Sequence, residues 1–261
     1  MSSMQKGIKI SAYILAVAII VGICTLLYNI FMLFVPVNDK IVVKEYSKNF
    51  SDVAYLEVEL SAASLKVEKG EKFLVEAYDL PSNLKVRKNG KKLEVKMSNS
   101  FNNVRVGEII ITIPEKLQDF SLKAGVGSIS IKDIEADSVD FDLGVGKAEF
   151  ENVKFNNADI DGGAGKTTIK KSELRNLKLN TGAGALHLSA KLLGSNKIEC
   201  GVGQVSISLL GDDDDYRIKV KKGIGSLNIN GKDYGDEVNY GNGKNKVVIN
   251  GGIGEVNIRF K

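Results

Sequence analysis

Gly163-Ala164-Gly165-Lys166-Thr167-Thr168 has the ending of a phosphate-binding P-loop. The full pattern needs a glycine five residues before Gly165, and Ile160 stands there. It also needs a strand feeding a helix, so that backbone amides and the helix N-terminus face the phosphates. This segment instead aligns with Gly144-Val145-Gly146-Lys147-Ala148 and Gly182-Ala183-Gly184-Ala185-Leu186. It reads as one structural corner among many, and the same alignment removes a dinucleotide fingerprint. Asp212-Asp213-Asp214-Asp215 offers oxygens to a hard cation, but lacks the spaced ligands of known calcium loops and reads as a solvated turn. His187 is the single histidine and has no partner in sequence that would complete a triad or a zinc site. Lys85, Arg87, Lys88, Lys91, Lys92 and Lys96 form a basic stretch diluted by Glu94. It suits anionic lipid head groups or wall-polymer phosphates, or else an exposed hairpin that blunts a sheet edge.

These residues are positioned by a repeat. Residues 121–261 hold 22 of the 27 glycines, arranged as Gly-x-Gly pairs. The pairs are Gly125 and Gly127, Gly144 and Gly146, Gly163 and Gly165, Gly182 and Gly184, Gly201 and Gly203, Gly223 and Gly225, and Gly252 and Gly254. Their spacings are 19, 19, 19, 19, 22 and 29 residues. Three residues before each pair stands an apolar residue, from Leu122 and Phe141 through to Val220 and Ile249. Four and six residues after the first glycine come apolar or small residues again, such as Ile129 and Ile131. That spacing of two is strand alternation with one face buried. A 19-residue unit cannot bury its own face, so it must stack on copies of itself.

The chain is therefore expected to be all-β, a β-solenoid of about 19-residue coils with corners at the glycine pairs. A sandwich or barrel turning by hairpins at each Gly-x-Gly is the competing arrangement. Residues 121–261 carry the regular repeats, and 51–120 read as degenerate coils or a cap. Within them Ser61-Ala62-Ala63-Ser64-Leu65-Lys66-Val67 mimics Gly125 to Ile131, with small residues replacing glycine. The two long spacings are expected to be loops bulging from single coils. Coils are expected to stack in chain order, leaving the last repeat as an open terminal rung that either is blunted by Arg259 and Lys261 or docks on a partner or a second copy.

In a solenoid the residues between the alternating apolars form an outward column: Ser130, Glu149, Thr168, His187, Ser206, Asn228 and Asn257. Its one acid has no second carboxylate for glycoside cleavage, so no catalytic residue, cofactor or metal is expected.

Ile10 to Val35 is a charge-free apolar run of 26 residues, long enough for a membrane-spanning helix. It is too long for the apolar core of a cleaved signal peptide. We expect a tail at 1–9, a retained anchor at 10–35 and a short stalk at 36–50. Positive charges flank both sides and do not decide the orientation, but a short charged tail favours an exported C-terminal domain. The net charge of +4 falls to about +2 beyond residue 35, which argues against a nucleic-acid binder. Two cysteines, Cys24 in the apolar run and Cys200 far from it, exclude a disulfide framework.

The anchor and the repeated Gly-[Val/Ala]-Gly-x-[hydrophobic]-x-[Ile/Phe/Leu] units resemble a bacterial family of β-strand-repeat "putative adhesin" proteins. They are similar to LiaG-type membrane-anchored proteins of envelope-stress modules in low-GC Gram-positive bacteria. The resemblance implies an exported, tethered, non-enzymatic envelope protein and transfers no catalytic residue. Its partners would be the membrane and an envelope protein or wall polymer, with self-association as a further option. The expected function is a rigid repeat surface serving envelope-stress sensing or regulation. The alternatives are a surface adhesin or wall-polymer binder, and a self-assembling scaffold.

Overall fold

The computed structural model describes residues 44–80, 83–97 and 107–261. The expected tail 1–9, anchor 10–35 and first part of the stalk lie outside them. Among the described residues no helix is long and apolar enough to cross a membrane. The stalk expected over 36–50 is strand from Lys44 onward, because Tyr46 and Phe50 pack against the core.

The strands are β1 (Lys44–Phe50), β2 (Tyr55–Ala62), β3 (Ser64–Lys69), β4 (Phe73–Leu80), β5 (Leu84–Asn89) and β6 (Lys92–Met97). Then follow β7 (Glu108–Ile113), β8 (Leu117–Lys132), β9 (Glu135–Glu151), β10 (Lys154–Arg175), β11 (Leu177–Leu193) and β12 (Ser195–Leu209). The last are β13 (Tyr216–Lys221), β14 (Ile224–Ile229), β15 (Lys232–Tyr234), β16 (Glu237–Tyr240) and β17 (Asn245–Phe260). Strands β8 to β12 pair in parallel, each with the next, and each runs unbroken through its glycine pair. The bend at the glycines turns every strand from one sheet into a second. The two inner faces share one core: Phe141, before its bend, stacks on Phe150, after it, with ring centroids 5.8 Å apart. The apolar columns read from the repeat are all buried, including Leu122, Phe141, Ile131 and Phe150. No hairpin reverses the chain at these bends, so the strands form stacked parallel rungs.

Glycine is required at the bend because neighbouring rungs touch there by backbone. A Cβ on Gly165 would sit 1.9 Å from the Gly146 carbonyl oxygen, and its φ of +137° disfavours any other residue. The opposite corner uses Asp133, Asn152 and Lys171, all with φ between 53° and 58°. There Asn152 Nδ2 donates to Asp133 Oδ1 of the rung before. Further along that edge Asn196 and Asn245 are buried, and their side-chain oxygens accept from the Leu177 and Gly194 amides.

The stacking order departs from chain order at both ends. The strand pair β2/β3 lies against β8, with Leu65 opposite Ile129, so Ser61-Ala62-Ala63 forms a corner of the same kind. On its other side lie β6, beside β2, and β7, beside β3. The strands β2 and β3 thus fill the second rung, β6 and β7 lie outside it, and the chain returns inside as β8. At the far end β17 pairs with β12 on one side and with β13 and β14 on the other. Chain order predicts that the Gly225 corner lies on Gly203 and that Gly254 ends the stack. Instead Gly203 lies opposite Gly254, and Gly254 lies between Gly203 and Gly225. The last repeat is therefore the penultimate rung, which corrects the expected open terminus. The physical reason is the uniformity of the corner: the Gly203 backbone offers the same contact to either glycine pair, and the longer connection before β17 lets the chain return. The 22-residue spacing is a crossover that skips one slot, and the 29-residue spacing contains the outer strands β15 and β16. At the crossover the Gly211 amide donates to the Lys261 carbonyl at 2.9 Å, and the Tyr216 hydroxyl donates to the Leu210 carbonyl at 2.7 Å. Antiparallel strands line both ends: β5 on β6, β4 on β7 and β1 on β4, then β16 on β13 and β15 on β14.

Candidate interaction surfaces

The bends form a straight edge. The residue between the glycines points outward in every rung, in the spatial order Val126, Val145, Ala164, Ala183, Val202, Ile253 and Ile224. Val145 is 56% exposed, Val202 54%, Ile253 52% and Ile224 73%. Single exposed aliphatics are ordinary, but a continuous line of them marks a contact surface. Glycines on either side leave this apolar ridge without neighbouring side chains. The aliphatic character of the middle residue is visible in the sequence at each position, but its exposure is set by the bend.

The structure places all fourteen corner glycines on this one edge. The second glycine of each pair runs in the spatial order Gly127, Gly146, Gly165, Gly184, Gly203, Gly254 and Gly225. The first runs Gly125, Gly144, Gly163, Gly182, Gly201, Gly252 and Gly223, each packed by backbone on its neighbour. The displaced pair is held as closely as the rest. A Cβ on Gly203 would sit 1.7 Å from the Gly184 carbonyl oxygen, and one on Gly254 would sit 1.8 Å from that of Gly203. The P-loop-like segment is one rung of this edge. Ala164 lies opposite Val145 and Ala183, and its strand continues past the bend without a helix. The amides there run along a sheet rather than converging on an anion. Beneath the bend a cavity of about 30 Å³, lined in part by Ala63, Thr167 and Thr181, has room for about one water and none for a nucleotide.

Beyond the bend, the outward column reads Lys66, Ser130, Glu149, Thr168, His187, Ser206, Asn257 and Asn228 in space. Glu149 accepts from Lys147 Nζ at 2.8 Å and Lys170 Nζ at 2.6 Å, which hold its carboxyl at about 2. It is a fixed anion at neutral pH, so it has no proton to give a leaving group. His187 stands half-buried between Thr168 and Ser206. Cys200 is half-buried near the edge, and burial pushes its thiol pKa up, away from the thiolate a nucleophile needs.

Before the bend the outward face carries an acidic cluster bordered by Lys123, opposite Asp142, and by Lys178, which pairs with Asp159 at 2.8 Å. Asp140 and Asp142 lie opposite Asp159 and Asp161. Toward the far end Arg217 lies opposite Lys246, while Lys219 and Lys221 pair with Glu237 at 2.8 and 3.3 Å. Among the described residues no group of three or more His, Cys, Asp or Glu is placed to hold a metal ion. Asp213–Asp215 is a turn of 3-10 helix in the crossover, with Tyr240 Oη donating to Asp213 Oδ2 at 3.5 Å.

The basic stretch is the β5–β6 hairpin at one end of this face. Lys92 and Lys96 both contact Glu57 at 2.5 Å, and Lys91 contacts Asp52 at 3.0 Å. Lys92 and Lys96 hold the Glu57 carboxyl below the usual carboxylate range. Lys88 donates to the Gly90 carbonyl. Lys85 and Arg87 have no acidic partner among the described residues. Half of the stretch is thus neutralised locally, a pairing invisible in sequence because the acids come from Asp52 and β2.

These surfaces and the rung stack define an all-β repeat scaffold with long outward columns. Residues 53–259 match the Toastrack DUF4097 family, and the chain belongs to it. No protein of curated function matches the chain in sequence. Among solved structures it is similar to a "putative adhesin" from Bacteroides fragilis, at 12% identity and a TM-score of 0.51. That match covers 87% of this chain and 99% of the other. A "putative cell adhesion protein" from Clostridium sporogenes is 20% identical over 84% of this chain and 100% of that one, with a TM-score of 0.36. At these identities the likeness concerns the fold.

Proposed function

We propose that the chain is a non-enzymatic envelope protein, anchored by Ile10 to Val35, whose exported rack presents a rigid surface to envelope partners in stress sensing or regulation. The observation that carries this reading is the in-register stack itself. It fixes exposed side chains into straight columns that need no ligand to order them. The charge-free run of 26 residues supports the anchor. The ion-paired Glu149 supports a non-catalytic role.

The test is crosslinking of the full chain in its own membranes followed by mass spectrometry, with a chain lacking residues 1–50 as control. Recovery of one stoichiometric membrane protein supports a regulatory subunit. A second reading, a surface adhesin or wall-polymer binder, is favoured by the description of the Bacteroides fragilis protein. It requires retention on purified peptidoglycan or teichoic acid without a protein partner. Lys85, Arg87 and Lys88 are the cations left for a polymer phosphate. A self-assembling scaffold stacking end to end would have to join through β1, β5, β15 and β16, since the last repeat lies inside the stack.

A further inference from the structure

We propose that the glycine edge is a homotypic contact: two copies of this chain pair in parallel, ridge against ridge, about a two-fold axis along the stack. The ridge spans seven rungs, or about 29 Å at the strand spacing. Val126, Val145, Val202, Ile253 and Ile224 expose their side chains along it. The charges beside it decide the partner. On one flank, just after the bend, stand Lys147 and Lys166; on the other, just before it, stand Asp142 and Asp161. All four are exposed. A two-fold axis along the ridge places each flank against the opposite flank of the second copy in the same rung. Lys147, which also contacts Glu149 of its own chain at 2.8 Å, then faces Asp142 of the other copy, and Lys166 faces Asp161, and each pairing occurs twice. The remaining rungs oppose Ser128 to Lys123, Ala185 to Asn180, Gln204 to Glu199, Glu255 to Asn250 and Ser226 to Lys221, with no like charges facing. The antiparallel alternative centred on the ridge sets Asp161 against Glu199 and Lys123 against Lys221, which repel.

Area sets the strength. A band about 29 Å by 13 Å gives roughly 380 Å² per copy. A standard stable interface takes about 800 Å² per partner. The pair is therefore weak in dilute solution and is favoured where copies share a surface that raises their effective concentration. The pairing does not rest on the proposed anchor, which would only raise its occupancy.

The test uses the full chain with Cys24→Ser and Cys200→Ser and one new cysteine, oxidised in whichever cell fraction holds the protein. Val145→Cys and Val202→Cys should each crosslink to themselves at least several-fold more than Lys154→Cys, on the opposite edge. Adding Asp142→Lys and Asp161→Lys should reduce the yield to the control level. Adding Lys147→Asp and Lys166→Asp on top should restore it, which a folding defect would not allow. Mixed disulfides between Val145→Cys and Ile253→Cys chains without self-crosslinks would overturn the parallel pairing. A yield equal to the control, indifference to the charge changes, or capture of a different protein would overturn the homotypic contact. Because the readout follows the soluble or membrane fraction alike, failure of the anchor leaves this result interpretable.

Discussion

The two ends of the stack solve one problem with different material. Both place a rung out of chain order, β6 and β7 beyond β2 and β3 at one end and β13 and β14 beyond β17 at the other, and both line that outer rung with antiparallel strands. At the first end the corner is Ser61-Ala62-Ala63, and the outer strands β1 and β5 are 7 and 6 residues long. At the far end the corner is Gly223-Ile224-Gly225, and β15 and β16 are 3 and 4 residues long. The difference follows from what lies outside each corner. A glycine Cβ position points at the preceding rung, and at the first end that rung is divided between β6 and β7 rather than running through the bend. Side chains are tolerated there. At the far end the outer carbonyls have no further rung, and Lys222 folds over them. Its Nζ donates to the Gly225 carbonyl at 2.8 Å and pairs with Asp236 at 3.0 Å, with the side chain 14% exposed.

Removing β17 should have the largest effect. A chain ending at Lys244 loses the rung that joins β12 to β13 and β14, so we expect residues 211–244 to lose amide-exchange protection together. Retained protection would mean that β13 and β14 dock directly on β12. Next comes the middle of the stack against its first end. Gly165→Ala should destabilise by about 3 kcal/mol or more in urea unfolding, since both backbone conformation and contact oppose it. Ala63→Gly should change stability by less than about 1 kcal/mol. Equal effects at the two corners would refute the distinction drawn between them.

Lys222→Ala should cost about 1–2 kcal/mol, concentrated in faster exchange of β13 and β14. An unchanged far end would show that the lysine cap is dispensable. The smallest effect is acid dependence. The Glu149 pKa is lowered from 4.5 to about 2 by Lys147 and Lys170. A depressed folded-state pKa contributes stability above the unfolded value and loses it as pH falls through the folded one. Stability should therefore decline from about pH 4.5 toward pH 2, and Glu149→Gln should flatten that decline in an acid titration followed by circular dichroism.

The corners and the buried columns were legible because each rung must satisfy the same backbone contacts. Leu122, Phe141 and Ile160 announce their burial by position alone. The order of rungs was not legible. Gly203, Gly254 and Gly225 share a φ between +140° and +143° and meet their neighbours by the same backbone contact. The repeat thus specifies what fits the stack but not which slot it takes. The 22- and 29-residue spacings carried the only trace of the crossover. The candidate surface was half legible. Val126 and Val145 could be read as a column, while the flanking charges gain meaning only once the bend sets them on opposite sides.

The placement of β17 has a mechanical consequence. A strand on the margin of a sheet can be peeled away one hydrogen bond at a time. Tension on the C-terminus of this chain pulls instead on a strand gripped from both sides, with Phe260 already opposite Leu209. To extract it, a force must shear the ladder to β12 and the ladders to β13 and β14 together. The residues of β17 are thus among those best placed to bear load.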